Sequence, residues 1–201
     1  MTDDLSLRCR CGAVRGRVLG PPARETRRVV CYCDDCRAFA RFLGREGDVL
    51  DAHGGTDLLQ LSPARLRLEA GADRVACLRL GPRGLLRWYA GCCATPLGNT
   101  LATRQLPFLG LVTAALDADD RARLPPVARR VFARHARGEP PPDAAAGAPP
   151  AMAVAIAWQL LRWRLRGDHR RSPFFGDDGG PAAPPRVLAP AERAALATAA
   201  G

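Results

Sequence analysis

Lysine is absent from this sequence: all 30 basic residues are arginine, set against 20 acidic ones, for a formal net charge of +10. Arginine used to the exclusion of lysine, beside abundant alanine, glycine and proline, points to a nucleotide-composition bias in the genome. The charge is therefore weaker support for nucleic-acid binding than its size suggests. Aromatic residues make up only 5%, and they do not interleave regularly with the arginines. No helix-turn-helix or RNA-recognition pattern is found. Phosphate contact is electrostatically permitted, but nucleic acid is not the expected partner. Histidine is scarce too, and His53, His135 and His169 have no ligand-spaced neighbours. They are expected on the surface or in loops.

Long apolar runs are also missing. The longest, residues 151–161, is well short of the roughly 20 needed to cross a bilayer, and Arg162, Arg164 and Arg166 follow it. No membrane span is expected. The first ten residues lack the apolar core of a secretion signal, so a cytoplasmic protein is expected, with its thiols kept reduced. Eight cysteines in that setting favour metal ligation or catalysis over disulfides.

At 201 residues the chain can bury one sizeable core, which predicts a principal domain over residues 1–116 and a helical extension over 117–201. The first part reads as mainly β. Residues 14–18 alternate valine with arginine at the period of two of a half-buried strand, and a turn follows at Gly20, Pro21 and Pro22. Residues 66–69, 75–80 and 85–89, separated by glycine-containing turns, predict an antiparallel meander, and residues 109–112 supply another strand. One short helix is predicted over 34–43, with Asp34 and Asp35 as its cap rather than a general acid/base pair, and Phe39, Phe42 and Leu43 on one face.

Past residue 117, helices are predicted over 126–137, 151–166 and 190–200, with a Pro/Ala/Gly-rich linker at 138–150. Trp158 and Trp163 are expected to pack against the β domain rather than lie on a membrane surface.

Seven cysteines fall in three clusters: Cys9 and Cys11 followed by Gly12; Cys31, Cys33 and Cys36; and Cys92 with Cys93. Residues two apart on an extended segment share a face, so Cys9 and Cys11 aim both sulfurs at one ion, and Gly12 lets the chain turn beneath it. A tetrahedral zinc then needs two further sulfurs. Cys93, with Cys92 as possible fourth, follows a strand able to return beside the first, giving a closed structural site. The middle cluster places three sulfurs on a strand end and the first helical turn, where helix amides favour the thiolate of Cys36. Three ligands leave one position open, the feature that separates catalytic from structural zinc. Cys77, alone in an alternating strand, is expected in the core.

The order Cys-x-Cys-Gly, then Cys-x-Cys-x-x-Cys, then Cys93-Ala94-Thr95-Pro96-Leu97 resembles the glutathione-dependent formaldehyde-activating (GFA) family, which includes the centromere protein V domain, over roughly residues 5–115. The resemblance implies a zinc-bearing antiparallel β-tent. It further implies a structural zinc at Cys9, Cys11 and Cys93, and a catalytic zinc at Cys31, Cys33 and Cys36 that handles glutathione and formaldehyde. Where the family has Cys-x-x-Cys-Gly, this sequence has Ala90-Gly91-Cys92-Cys93-Ala94. Cys92 is then either the fourth structural ligand or the residue that closes the other site. Tyr32 stands where the family commonly has histidine.

A tri-thiolate zinc is a poor Lewis acid and suits thiolate exchange better than water activation. The expected activity is that of a carbon-sulfur lyase joining a small thiol and a small aldehyde. The alternative is a non-catalytic zinc module that engages a protein partner through its C-terminal helices. Arg8, Arg10, Arg37 and Arg41 flank the motifs and either grip a carboxylate ligand or stand idle.

Overall fold

A computed structural model of the protein describes residues 4–20 and 26–198. The chain runs β1 (Leu5–Arg8), β2 (Arg15–Val18), β3 (Arg27–Cys31), α1 (Asp34–Phe42), α2 (Glu46–Val49), β4 (Thr56–Leu61), β5 (Leu66–Ala70), β6 (Val75–Arg79), β7 (Leu86–Ala90), β8 (Thr95–Thr100), β9 (Leu109–Val112), α3 (Ala118–Ala122), β10 (Arg129–Val131), α4 (Pro150–Leu165), β11 (Pro185–Val187) and α5 (Pro190–Thr198). The protein is mainly β. The turn expected at Pro21 and Pro22, and residues 199–200 of the expected last helix, lie outside the described residues.

The strands form two sheets. A small antiparallel one has the order β1-β2-β5, and a mixed one the order β10-β3-β4-β9-β8-β7-β6-β11. The small sheet follows the period of two: Leu5, Leu7 and Val18 turn inward while Ser6, Arg8, Arg15 and Arg17 face water. β2 and β5 approach closely because residue 16 has no side chain; a Cβ there would lie 2.3 Å from the Arg67 carbonyl oxygen. Of the predicted meander, residues 75–79 and 86–90 pair antiparallel as β6 and β7, and the strand predicted over 109–112 is β9; β8, which was not predicted, lies between β7 and β9 and is antiparallel to both. Residues 66–70 do not join it; they complete the small sheet instead.

Leu5, Leu7, Val14, Val18 and Leu66 bury against Leu59, Trp88, Leu97 and Leu111 of the large sheet. Each such side chain contributes on the order of 2 kcal/mol of apolar burial. On other parts of the large sheet, Phe39 of α1 and Leu43, which follows its last residue, share a cluster with Leu78 and Leu80, and Ala40 shares one with Leu58 and Val112. β8 and β9 are consequently buried at every position.

The helix predicted over 126–137 does not form. Residues 129–131 instead pair in parallel with Val29, Val30 and Cys31 of β3, and the Tyr32 amide donates to the Val131 carbonyl. The backbone donors and acceptors along β3 outweigh a local helical pattern of few residues. Residues after 117 thus supply both edge strands, β10 and β11, and Phe174 stacks on Trp88 with ring centroids 4.8 Å apart. The helix predicted over 151–166 is α4. Trp163 packs inward as expected, but Trp158 does not: it is 62% exposed.

Candidate metal centres

The first cluster joins the two sheets. Cys9 and Cys11 sit in the turn that follows β1, where Gly12 has φ +76° and its amide donates to the Cys9 carbonyl, the reversal expected beneath a Cys-x-Cys pair. Cys92 and Cys93 sit in the short connection between β7 and β8. Sulfur separations are 3.6 Å for Cys9 and Cys11, 3.3 Å for Cys11 and Cys92, and 3.9 Å both for Cys9 and Cys92 and for Cys92 and Cys93. A tetrahedron with zinc-sulfur arms of about 2.3 Å has edges of about 3.8 Å, so the four sulfurs fit one ion. Of the two places open to Cys92, the geometry selects the first cluster, so the absence of a cysteine at position 90, where Ala90 is fully buried in β7, leaves the set of four sulfurs complete.

Hydrogen bonding prepares this cluster for negative charge. The Val14 amide donates to the Cys9 sulfur at 3.2 Å. The Thr95 hydroxyl accepts from the Arg10 amide at 3.0 Å and lies 3.2 Å from the Cys93 sulfur, to which its proton can turn. Burial opposes the Cys93 thiolate, but the Thr95 hydroxyl and the Cys11 amide prevail and bring its thiol down to about 6.

Cys31, Cys33 and Cys36 form the second cluster, with all three sulfurs within 4.8 Å of one another. Cys31 ends β3, Cys33 is the residue before α1, and Cys36 lies in its first turn. Cys31 and Cys36 are buried and Cys33 is half-buried. Among the described residues no histidine, aspartate, glutamate or further cysteine joins this group of three. Hydrogen bonds from the Cys31 and Cys33 thiols hold Cys36 well below the usual thiol range, and the charge of Arg87 adds to the effect. The hydrogen bonds of the Cys31 thiol with Cys33 and Cys36, together with its burial, push it up.

Arg87 was not legible as a site residue. It lies in β7, is 2% exposed, and its guanidinium donates to Asn99 Oδ1 at 3.1 Å. It stands 3.6 Å from Asp35 and 5.5 Å over the Phe39 ring. Its place among core leucines in an arginine-rich sequence gave no signal, since only the fold sets it beside Cys36.

Other residues singled out from the sequence have structural employment. Asp34 and Asp35 do not cap α1, which has Cys33 at its N-cap and no side-chain cap. Asp34 pairs with Arg37 at 2.5 Å and with His135 at 2.8 Å, and Asp35 with Arg193 at 2.9 Å. Arg37 also donates to the His135 carbonyl, and Arg41 to Glu46 and the Leu196 carbonyl, so neither is idle. Arg8 and Arg10 are exposed beside the first cluster. Tyr32 is fully buried and donates to Asp51 at 3.2 Å; burial pushes its hydroxyl up to about 12. Cys77 is in the core as expected, and burial likewise pushes its thiol up to about 12. His53 touches the Arg137 carbonyl from the surface.

Ala94 follows Cys93 with φ +54°, a left-handed conformation in a residue with a Cβ. That strain costs roughly 1–2 kcal/mol, while glycine would add about 0.4–1 kcal/mol of unfolded-state entropy. Ala94→Gly is expected to raise thermal stability by about 0.5 kcal/mol with zinc content unchanged, measured by calorimetry and metal analysis. A lower melting temperature would show that the Cβ contact of Ala94 outweighs its strain.

A family model described as a family of unknown function (DUF6151) matches residues 1–184. No curated protein matches the chain.

Proposed function

The chain belongs to a family of unknown function (DUF6151), and we propose that this protein is a zinc-thiolate enzyme of carbon-sulfur chemistry that adds a small thiol such as glutathione to a small aldehyde. The observation that carries the proposal is the difference between the clusters: four sulfurs in one and three in the other. On this basis Cys9, Cys11, Cys92 and Cys93 close around a structural zinc. Cys31, Cys33 and Cys36 would hold a second zinc that supplies a soft coordination position for a thiolate substrate. The resemblance of the cysteine motifs to the GFA family, and with it a β-tent description of the fold, supports the same assignment.

The roles of the chain's own residues follow from their places. Cys33, half-buried, marks the side from which a substrate approaches, while Cys31 and Cys36 are enclosed. Three thiolates around a divalent ion make a net negative centre, and the Arg87 guanidinium behind Cys36 offsets it. Such a centre polarises water weakly but leaves a bound sulfur nucleophilic. In the addition, the sulfur bonds to the carbonyl carbon, the carbon-oxygen π bond breaks, and the thiol proton ends on that oxygen.

The test is exchange NMR of formaldehyde with glutathione in the presence of zinc-loaded protein. Exchange faster than the spontaneous reaction is expected, and no acceleration at stoichiometric protein would remove this substrate pair. A non-catalytic zinc module is the second reading, favoured by the outward apolar face of α4. Metal content read together with the exchange assay distinguishes them: zinc at both clusters with accelerated exchange supports the enzyme, and zinc at both clusters with no acceleration supports the module.

A further inference from the structure

α4 is apolar on two sides, and the fold covers only one of them. Met152 and Trp163 are buried, and Ile156 packs partly against the cluster that holds Met152. On the other side Val154, Trp158, Leu161 and Leu165 are exposed by 70%, 62%, 47% and 79%. Their spacing of four, three and four residues puts them in one stripe, about 16 Å long at the helical rise. Arg162 and Arg166 fall on one flank of the stripe and Arg164 on the other. Residues 150–166 contain no acidic side chain.

The surroundings extend the same pattern. Arg164 reaches Gln105, whose neighbour Leu106 is also exposed. At the C-terminal end of α4, Arg65, Arg67, Arg166 and Arg171 line a cleft of about 480 Å³ in which Asp168 is the one acidic residue. Asp168 is buried and orients Arg166 and Arg171 through ion pairs of 3.0 and 2.7 Å.

We propose that the outward face of α4 docks on the surface of an anionic lipid bilayer, with the stripe in the headgroup boundary and the flanking arginines among the phosphates. A tryptophan in an apolar seam bordered by guanidiniums suits that boundary, because the ring enters the acyl edge while the long arginine stems carry their charge back to water. Anionic headgroups answer the arginines that flank the stripe on α4 and those lining the adjoining cleft. A second copy of the chain does not answer them, since pairing two such stripes sets arginine against arginine with no carboxylate on either helix.

Flotation of full-length, zinc-loaded protein with vesicles of phosphatidylcholine, alone or mixed with phosphatidylglycerol, tests the proposal. Trp88 and Trp163 are buried, so a vesicle-dependent blue shift of emission reports Trp158. Binding to the anionic vesicles on the order of tenfold or more above the neutral ones is expected, with that blue shift. Val154→Ser combined with Leu161→Ser, at unchanged zinc content, should abolish both. Three results would overturn the proposal: no flotation with either vesicle; binding that survives the double substitution, which assigns it to charge alone; or a dimer in light scattering that the substitution dissolves, which assigns the stripe to a second copy.

Discussion

Cys9→Ala is expected to yield no folded protein, whereas Cys33→Ala should fold, retain one zinc and lose thiol-aldehyde exchange. The contrast follows from where the clusters sit. Cys9 and Cys11 lie in the turn after β1, and Cys92 and Cys93 between β7 and β8, so an ion among them ties the small sheet to the large one. A structural zinc contributes roughly 10–16 kcal/mol of apparent binding energy, as large as the whole net stability of a domain at about 5–15 kcal/mol. The small sheet has three strands, and its apolar side chains are buried in the cluster they share with the large sheet.

The second cluster has other support. Its three sulfurs come from one short stretch of chain already fixed by β3 pairing with β4 and β10 and by the first turn of α1. Losing Cys33 there removes a ligand without unlinking two sheets. Metal analysis, circular-dichroism melting and the exchange assay on both variants measure the outcome. Equal destabilisation would refute the division of labour.

Apart from the place of Cys92, which the sequence left open between the two clusters, the sulfur groupings were legible because ligand patterns are written in spacing: Cys-x-Cys around a glycine turn, and Cys-x-Cys-x-x-Cys across a strand-to-helix junction. α1 and the meander were legible because Phe39 and Leu43, or the alternating side chains of residues 75–79, pattern themselves against one core face. β8 was not. Its sequence, Thr95 to Thr100 with Pro96 and Gly98, has no alternation, because a strand covered on both faces has no polar side to mark. Gly98 is required there by the approach of β9: a Cβ would lie 2.8 Å from Leu109 and 3.0 Å from the Gly110 carbonyl. β10 was hidden for another reason. Val127 and Val131 share a helical face in isolation, and only the bare edge of β3 makes strand the better use of that backbone. The outward stripe of α4 was hidden because an apolar side chain carries no label saying which neighbour will cover it.

Arg87→Met is expected to weaken zinc at the second cluster on the order of 100-fold and leave the first cluster unchanged. A guanidinium that is 2% exposed requires a negative partner, because an unanswered buried charge costs several kcal/mol. Asp35 is an incomplete one: it stands 3.6 Å away, is partly exposed, and is engaged by Arg193 at 2.9 Å. Asn99 offers only a neutral oxygen. The remaining negative charge within reach is the Cys36 thiolate, which Arg87 already stabilises. Three thiolates around a divalent ion would place a lasting negative charge at that position, so metal and guanidinium would each lower the cost of the other. Removing the groups that support metal ligands typically weakens affinity by 10–100-fold, and an ionic contact in a buried site belongs at the upper end. Chelator competition should release one zinc of two early, and cobalt substitution should show fewer thiolate charge-transfer contributions at the weakened site. Arg87→Lys keeps the charge without the planar fork and should fall between, while Asp35→Asn should leave zinc affinity intact. If both zincs leave together in Arg87→Met, the guanidinium supports the fold and not the metal.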